Sequence, residues 1–136
     1  MRTRLGITLA GCFAAASLFL AGCRAQQAAA DATDATGVYA LVSVDGKPVP
    51  AHVSHGSDTL LVRSGTFTIR ADGSCVSAIT LVPPTGKEAT REVSATYVKK
   101  GATLTMRWKG AGQTVGTVSG KTFTMQNEGL AFVYEK

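Results

Sequence analysis

The sequence predicts an all-β domain, with eight antiparallel strands closed into an up-and-down barrel. Three observations carry that prediction. From Gly37 onward Val, Thr, Phe and Tyr recur in short alternating runs, the pattern of strands with one buried face. Turns punctuate those runs at Asp45-Gly46, Asp72-Gly73, Lys100-Gly101, Gly110-Ala111-Gly112, Ser119-Gly120 and Glu128-Gly129. Asp-Gly suits a hairpin because its tight turn needs positive φ at both central residues. Helix is expected only before this region. Short-linked strands that expose no long flat edge are best accommodated by a closed barrel, with a two-sheet sandwich as the alternative.

The chain begins differently. Arg2 and Arg4 precede an apolar, Ala- and Leu-rich run from Leu5 to Leu20, followed by Ala21-Gly22-Cys23. The run is short for a membrane span and ends at small residues, as cleaved secretory signals do. With cysteine at the cut it resembles a bacterial lipoprotein signal. That resemblance implies a signal peptide over 1–22, cleavage between Gly22 and Cys23, and acylation (a palmitate-type anchor) on the Cys23 thiol. The chain would then be held to the membrane through Cys23, in the cell envelope. Arg24 stands where inner-membrane lipoproteins typically carry aspartate, so in a Gram-negative cell the expected place is the outer membrane, facing the periplasm.

Residues 24–36 contain no large apolar side chain and cannot bury enough surface to offset their ordering entropy. Segment 23–36 therefore reads as the lipidated cysteine and a flexible linker. At about 5–6 Å × √n, such a linker holds a domain roughly 20 Å from the membrane. The domain itself is expected over 37–136.

Between the turns, strands are expected at 37–44, 59–70, 74–82, 91–99, 102–109, 113–118, 121–126 and 130–135. The second is long. Leu60 and Val62 share one parity and Phe67 and Ile69 the other, so a bulge near Ser64-Gly65 is needed to return all four to one face. Alternation directs Tyr39, Leu41, Phe67, Ile69, Ile79, Leu81, Val93, Tyr97, Leu104, Met106, Trp108, Phe123, Met125, Phe132 and Tyr134 inward. Thr68, Arg70, Thr103, Thr105, Arg107, Thr122 and Thr124 face solvent.

Several motifs then align with a known family. Gly37-Val38-Tyr39 opens the first strand much as Gly-x-Trp opens lipocalins. Val44-Asp45-Gly46-Lys47-Pro48-Val49-Pro50 is similar to the "VNGxPLP" segment of small bacterial lipocalin-like lipoproteins. Ser64-Gly65-Thr66-Phe67-Thr68-Ile69-Arg70-Ala71-Asp72-Gly73-Ser74 resembles their "SGxLxLxxDGT" hairpin. The resemblance implies a lipocalin-like barrel. It departs from true lipocalins in carrying Tyr39 for Trp, in its short strands, and in having no C-terminal helix or disulfide. Eight strands can be filled by side chains alone, so the resemblance does not by itself imply a ligand cavity.

Composition narrows the function classes. Of 136 residues, removal of the first 22 leaves 114, and loss of Arg2 and Arg4 leaves twelve cations against nine acids. That charge, with no basic cluster longer than Lys99-Lys100, does not point to nucleic acid. Once Cys12 leaves and Cys23 is acylated, Cys75 is alone, so no intrachain disulfide is possible; the thiol reads as a small buried hydrophobe. His52-Val53-Ser54-His55-Gly56-Ser57-Asp58 has ligand-like spacing and would hold zinc only if it curled into one turn with a fourth ligand. Solvated loop histidines are the better reading. No metal or other cofactor is expected, and no Gly-x-Ser-x-Gly elbow, carboxylate pair or phosphate loop points to catalysis.

The expectation is a non-catalytic binding or structural module for a small apolar ligand or an envelope protein. The loops at 49–58 and 83–90 would form its contact rim, with His52, His55, Asp58, Pro83 and Pro84 the residues singled out. The alternative is a periplasmic inhibitor of a lysozyme or protease, which would need a loop able to enter an enzyme cleft.

Overall fold

The computed structural model describes residues 34–136. The expected signal, Gly22 and Cys23 lie outside the described residues. Ten strands follow one another: β1 (Gly37–Val44), β2 (Lys47–Pro48), β3 (Ala51–His55), β4 (Asp58–Ile69), β5 (Ser74–Val82), β6 (Ala89–Lys100), β7 (Thr103–Trp108), β8 (Gln113–Ser119), β9 (Thr122–Asn127) and β10 (Leu130–Glu135). From β4 to β10 each strand pairs antiparallel with the next, and β10 returns to β1. The ring closes where Gly37, Val38, Tyr39 and Ala40 of β1 meet Ile69, Thr68, Phe67 and Thr66 of β4. The result is a closed eight-stranded antiparallel barrel, compatible with a lipocalin-like fold.

Local chemistry explains the hairpins. Asp45 and Glu128 have φ of 50° and are followed by Gly46 and Gly129 at 74° and 78°. Positive φ at both central residues makes two-residue turns whose twist matches the strands they join. Asp45 also ties two hairpins together: its Oδ1 accepts from Ala131 N, and its own N–H donates to Ala131 O, both at 2.8 Å.

Strand β3 is a correction to the expected loop at 49–58, and the short β2 just before it is likewise not expected from sequence. Ala51 and Val53 are buried whereas His52, Ser54 and His55 are exposed, a strand's alternation concealed by polar composition and flanking prolines. The two additions have one cause. Strands β1 and β4 pair over four residues and then part, each taking a new neighbour. Ser43 and Val44 pair with Pro48 and Lys47, and Asp58–Val62 of β4 pairs with β3. Bulges sit at the parting: one extra residue at Val42 relative to β10, and one at Arg63 relative to β5. Each raises local twist and splays the strands. The second is the bulge that parity required, one residue ahead of Ser64.

The barrel axis is occupied by side chains. Tyr39, Phe67, Cys75, Leu104, Met106, Phe123 and Tyr134 are fully buried, with Ile69, Val118 and Met125 nearly so. Phe67 lies at ring-centroid distances of 4.6 Å from Phe123, 5.5 Å from Tyr134 and 6.1 Å from an edge-on Trp108. Gly116 makes this possible. Its missing Cβ leaves the space that the Phe123 ring fills against the sheet. Trp108 is core, as alternation predicts, and its Nε1 donates to Thr114 Oγ1 at 2.6 Å.

One expected core residue is corrected: Val93 is 40 % exposed. Ile79 and Tyr97 are inward and packed, partly buried, against the core, and Leu81 is partly buried. The reason lies in β6, whose two halves pair with different strands. Ala89–Thr96 run beside β5, but only Ala95–Lys100 run beside β7. The N-terminal half of β6 and the end of β5 thus project past the ring, and their inward faces have less to pack against.

Candidate functional site

The antiparallel order gives the barrel two distinct ends. At one, the chain enters β1 at Gly37, and the turns at Asp72-Gly73, Lys100-Gly101 and Ser119-Gly120 lie beside it. This end is closed. Ala35 is buried, Tyr39 Oη donates to its carbonyl at 2.8 Å, and Lys136 Nζ donates to Thr36 O at 2.7 Å while lying 5.0 Å above the Tyr39 ring. The last residues of the expected linker, 34–36, are therefore bound to the barrel.

The opposite end carries the β3–β4 hairpin, the β5–β6 loop and the turns at Gly110-Ala111-Gly112 and Glu128-Gly129. The five rim residues expected from sequence all fall here. His52 lies opposite Leu61 of β4, which lies opposite Val82 of β5. One cross-strand row thus leads from His52 to the start of Pro83-Pro84. Arg63 Nε lies 2.8 Å from Glu88 Oε2 and fastens the β5–β6 loop to β4.

His52 and His55 do not converge. Three residues apart on a strand, they leave the backbone on opposite faces. Asp58 pairs with His55 across the turn. His55 Nε2 instead reaches Glu128 Oε2 at 2.5 Å, joining the hairpin tip to the β9–β10 turn across 73 residues of sequence. Segment 52–57 is accordingly a paired hairpin held at its tip, with Val53 buried beneath it. Glu128, Arg63 and Glu88 organise this end, and only their proximity in the fold reveals it; in sequence Glu128 signals nothing beyond a turn.

Burial shifts two interior ionisable groups. Burial pushes the Cys75 thiol up from 9.0 to about 11, and nearby Arg70 opposes this in part. Burial likewise pushes the Tyr134 phenol from 10.0 to about 12. The neighbouring Ser77 side chain, itself buried, opposes that shift, but its geometry to the Tyr134 hydroxyl falls short of a hydrogen bond, and the phenol is unpaired. Both groups stay neutral at physiological pH. At the entry end, hydrogen bonds from Ser74 hold the exposed Asp72 carboxyl below its ordinary value and pin the β4–β5 turn.

Among the described residues, two depressions lie on the outer surface around Thr96 and Arg107. One, of about 300 Å³, is lined by Val98, Thr105 and Gln113; the other, of about 430 Å³, by Ser94, Trp108 and Lys109. The aromatic cluster occupies the barrel axis, and both depressions lie outside it. Comparison of the chain with protein-family models, with characterised proteins and with solved structures finds no match in any of the three.

Proposed function

We propose that this protein is a lipid-anchored, non-catalytic binding module of the bacterial cell envelope, built on a lipocalin-like barrel and engaging a protein partner through its hairpin end. One observation carries the choice of partner over an enclosed apolar ligand: Tyr39, Phe67, Leu104, Phe123 and Tyr134 fill the axis with no exposed surface. The anchor reading rests on Leu20-Ala21-Gly22-Cys23. The geometry fits the two together. A tether from Cys23 would meet the barrel at its closed end, leaving His52, His55, Asp58, Pro83 and Pro84 on the end that points away from the membrane. More than one acyl chain is needed for stable anchoring, at about 0.8 kcal/mol per buried CH₂.

Metabolic labelling with radioactive palmitate in a bacterial host tests this. The full chain should incorporate label and sediment with membranes. Cys23→Ser should take up none and remain uncleaved or soluble. Equal labelling of the two would remove the anchor from the proposal.

A further inference from the structure

The projecting half of β6 is an open strand edge, and we propose that it is a β-augmentation site for an extended segment of a partner protein bearing a carboxylate opposite Arg91. On a strand, the N–H and C=O of successive residues point to alternate sides. Lys109 N donates to Ser94 O and Tyr97 N donates to Gly73 O. Even-numbered residues of β6 therefore face β7, and odd-numbered ones face β5. The β7 register ends at Ala95, with one further bond from Lys109 to Ser94, so the main-chain groups of Thr90 and Glu92 face a side with no strand on it. Such a row is satisfied by one kind of ligand, another extended backbone.

The side chains define which backbone. Arg91 lies opposite Ile79 and Val93 opposite Ser77, on the inward face of the sheet. Arg91 has no ion pair among the described residues, and Val93 is exposed although its parity would bury it. An incoming strand would place an acidic residue across from Arg91, an apolar one across from Val93 and a cation across from Glu92.

A second copy of this chain fits poorly. Two-fold pairing of the edge with itself sets Arg91 against Arg91, Glu92 against Glu92, or Glu88 against Glu92, and like charges directly opposite are destabilising. The charges thus discourage self-association while leaving the edge open to a complementary strand. The outer edge of β3 is less free, because Lys47 Nζ lies 3.4 Å from His52 O.

This inference rests on the reading of the protein as a partner-binding module, but its test does not depend on the anchor. The probe is a displayed library of random nine-residue peptides, selected on the full chain in detergent. Selected peptides should carry an Asp or Glu two residues from an apolar one, with a cation between them, and should protect the Thr90 and Glu92 amides from hydrogen exchange. Glu92→Pro removes only an N–H that faces away from β5, a position where proline is tolerated. It should weaken binding by about tenfold or more, the size of one or two lost main-chain hydrogen bonds. Arg91→Glu, which touches no main-chain bond, should cause a similar loss and keeps the test decisive if the proline variant unfolds. Failure to select any peptide, or binding that neither variant weakens, would overturn the proposal. So would a concentration-dependent dimer abolished by Glu92→Pro, which would assign the edge to a second copy.

Discussion

Two interior residues show how tightly the barrel is filled. A Cβ on Gly116 would stand 2.6 Å from Phe123 Cζ and 3.2 Å from Met106 Cε. Neither neighbour can retreat, since both are fully buried. Gly116→Ala should therefore destabilise by about 1–3 kcal/mol through overpacking, seen as a lower denaturant midpoint with an unchanged slope. Tyr134 presents the opposite case, a hydroxyl that costs desolvation and gains no hydrogen bond. Tyr134→Phe should leave stability at neutral pH unchanged or slightly raised. It should also alter the alkaline limb of the stability profile. The fold binds the neutral phenol, so the contribution is complete below pH 10.0, and it is lost as pH rises toward the folded value of about 12. Cys75 begins the same loss from 9.0 toward about 11. Denaturant unfolding from pH 8 to 12 should show the upper part of the decline missing from Tyr134→Phe and the lower part intact.

At the scale of elements, the β3–β4 hairpin is the most informative piece. Its polar sequence hides a strand, because alternation over Ala51, His52, Val53 and Ser54 involves only two buried residues, both small or branched. What places it is the parting of β1 and β4 at their bulges, together with the His55–Glu128 contact. Both of those side chains are half or more exposed, so the contact is worth little by itself. A double-mutant cycle with His55→Ala and Glu128→Gln should return a coupling of about 0.2–1 kcal/mol. Hydrogen exchange should locate the effect in β3 and leave the β7–β10 amides untouched. Other elements were legible. The turns at Asp45-Gly46 and Glu128-Gly129, the bulge in β4 and the inward set from Phe67 to Tyr134 all follow from local rules. Val93 escaped those rules because its exposure depends on where β7 ends, a fact about a different strand.

For the molecule as a whole, the two ends are chemically different, and the difference organises every functional reading. The entry end is sealed by Ala35, Tyr39 and Lys136, where the chain enters β1 at Gly37. The far end carries the paired hairpin, the Pro83-Pro84 loop and the open edge of β6. The five rim residues could be picked out from sequence as polar or proline-containing connections. That they share one end could not, because it depends on strand direction around a closed ring. Strand periods, turn positions and most of the inward and outward sets are readable locally, since each arises from residues a few positions apart. Ring closure through β1 and β4, the filling of the axis around Gly116, the tethering of the hairpin to Glu128 and the unpaired edge at Thr90 and Glu92 belong to the folded barrel alone. Those depend on register between strands distant in the chain. Register is set by packing a fixed set of side chains into one barrel, and no local window of sequence contains it.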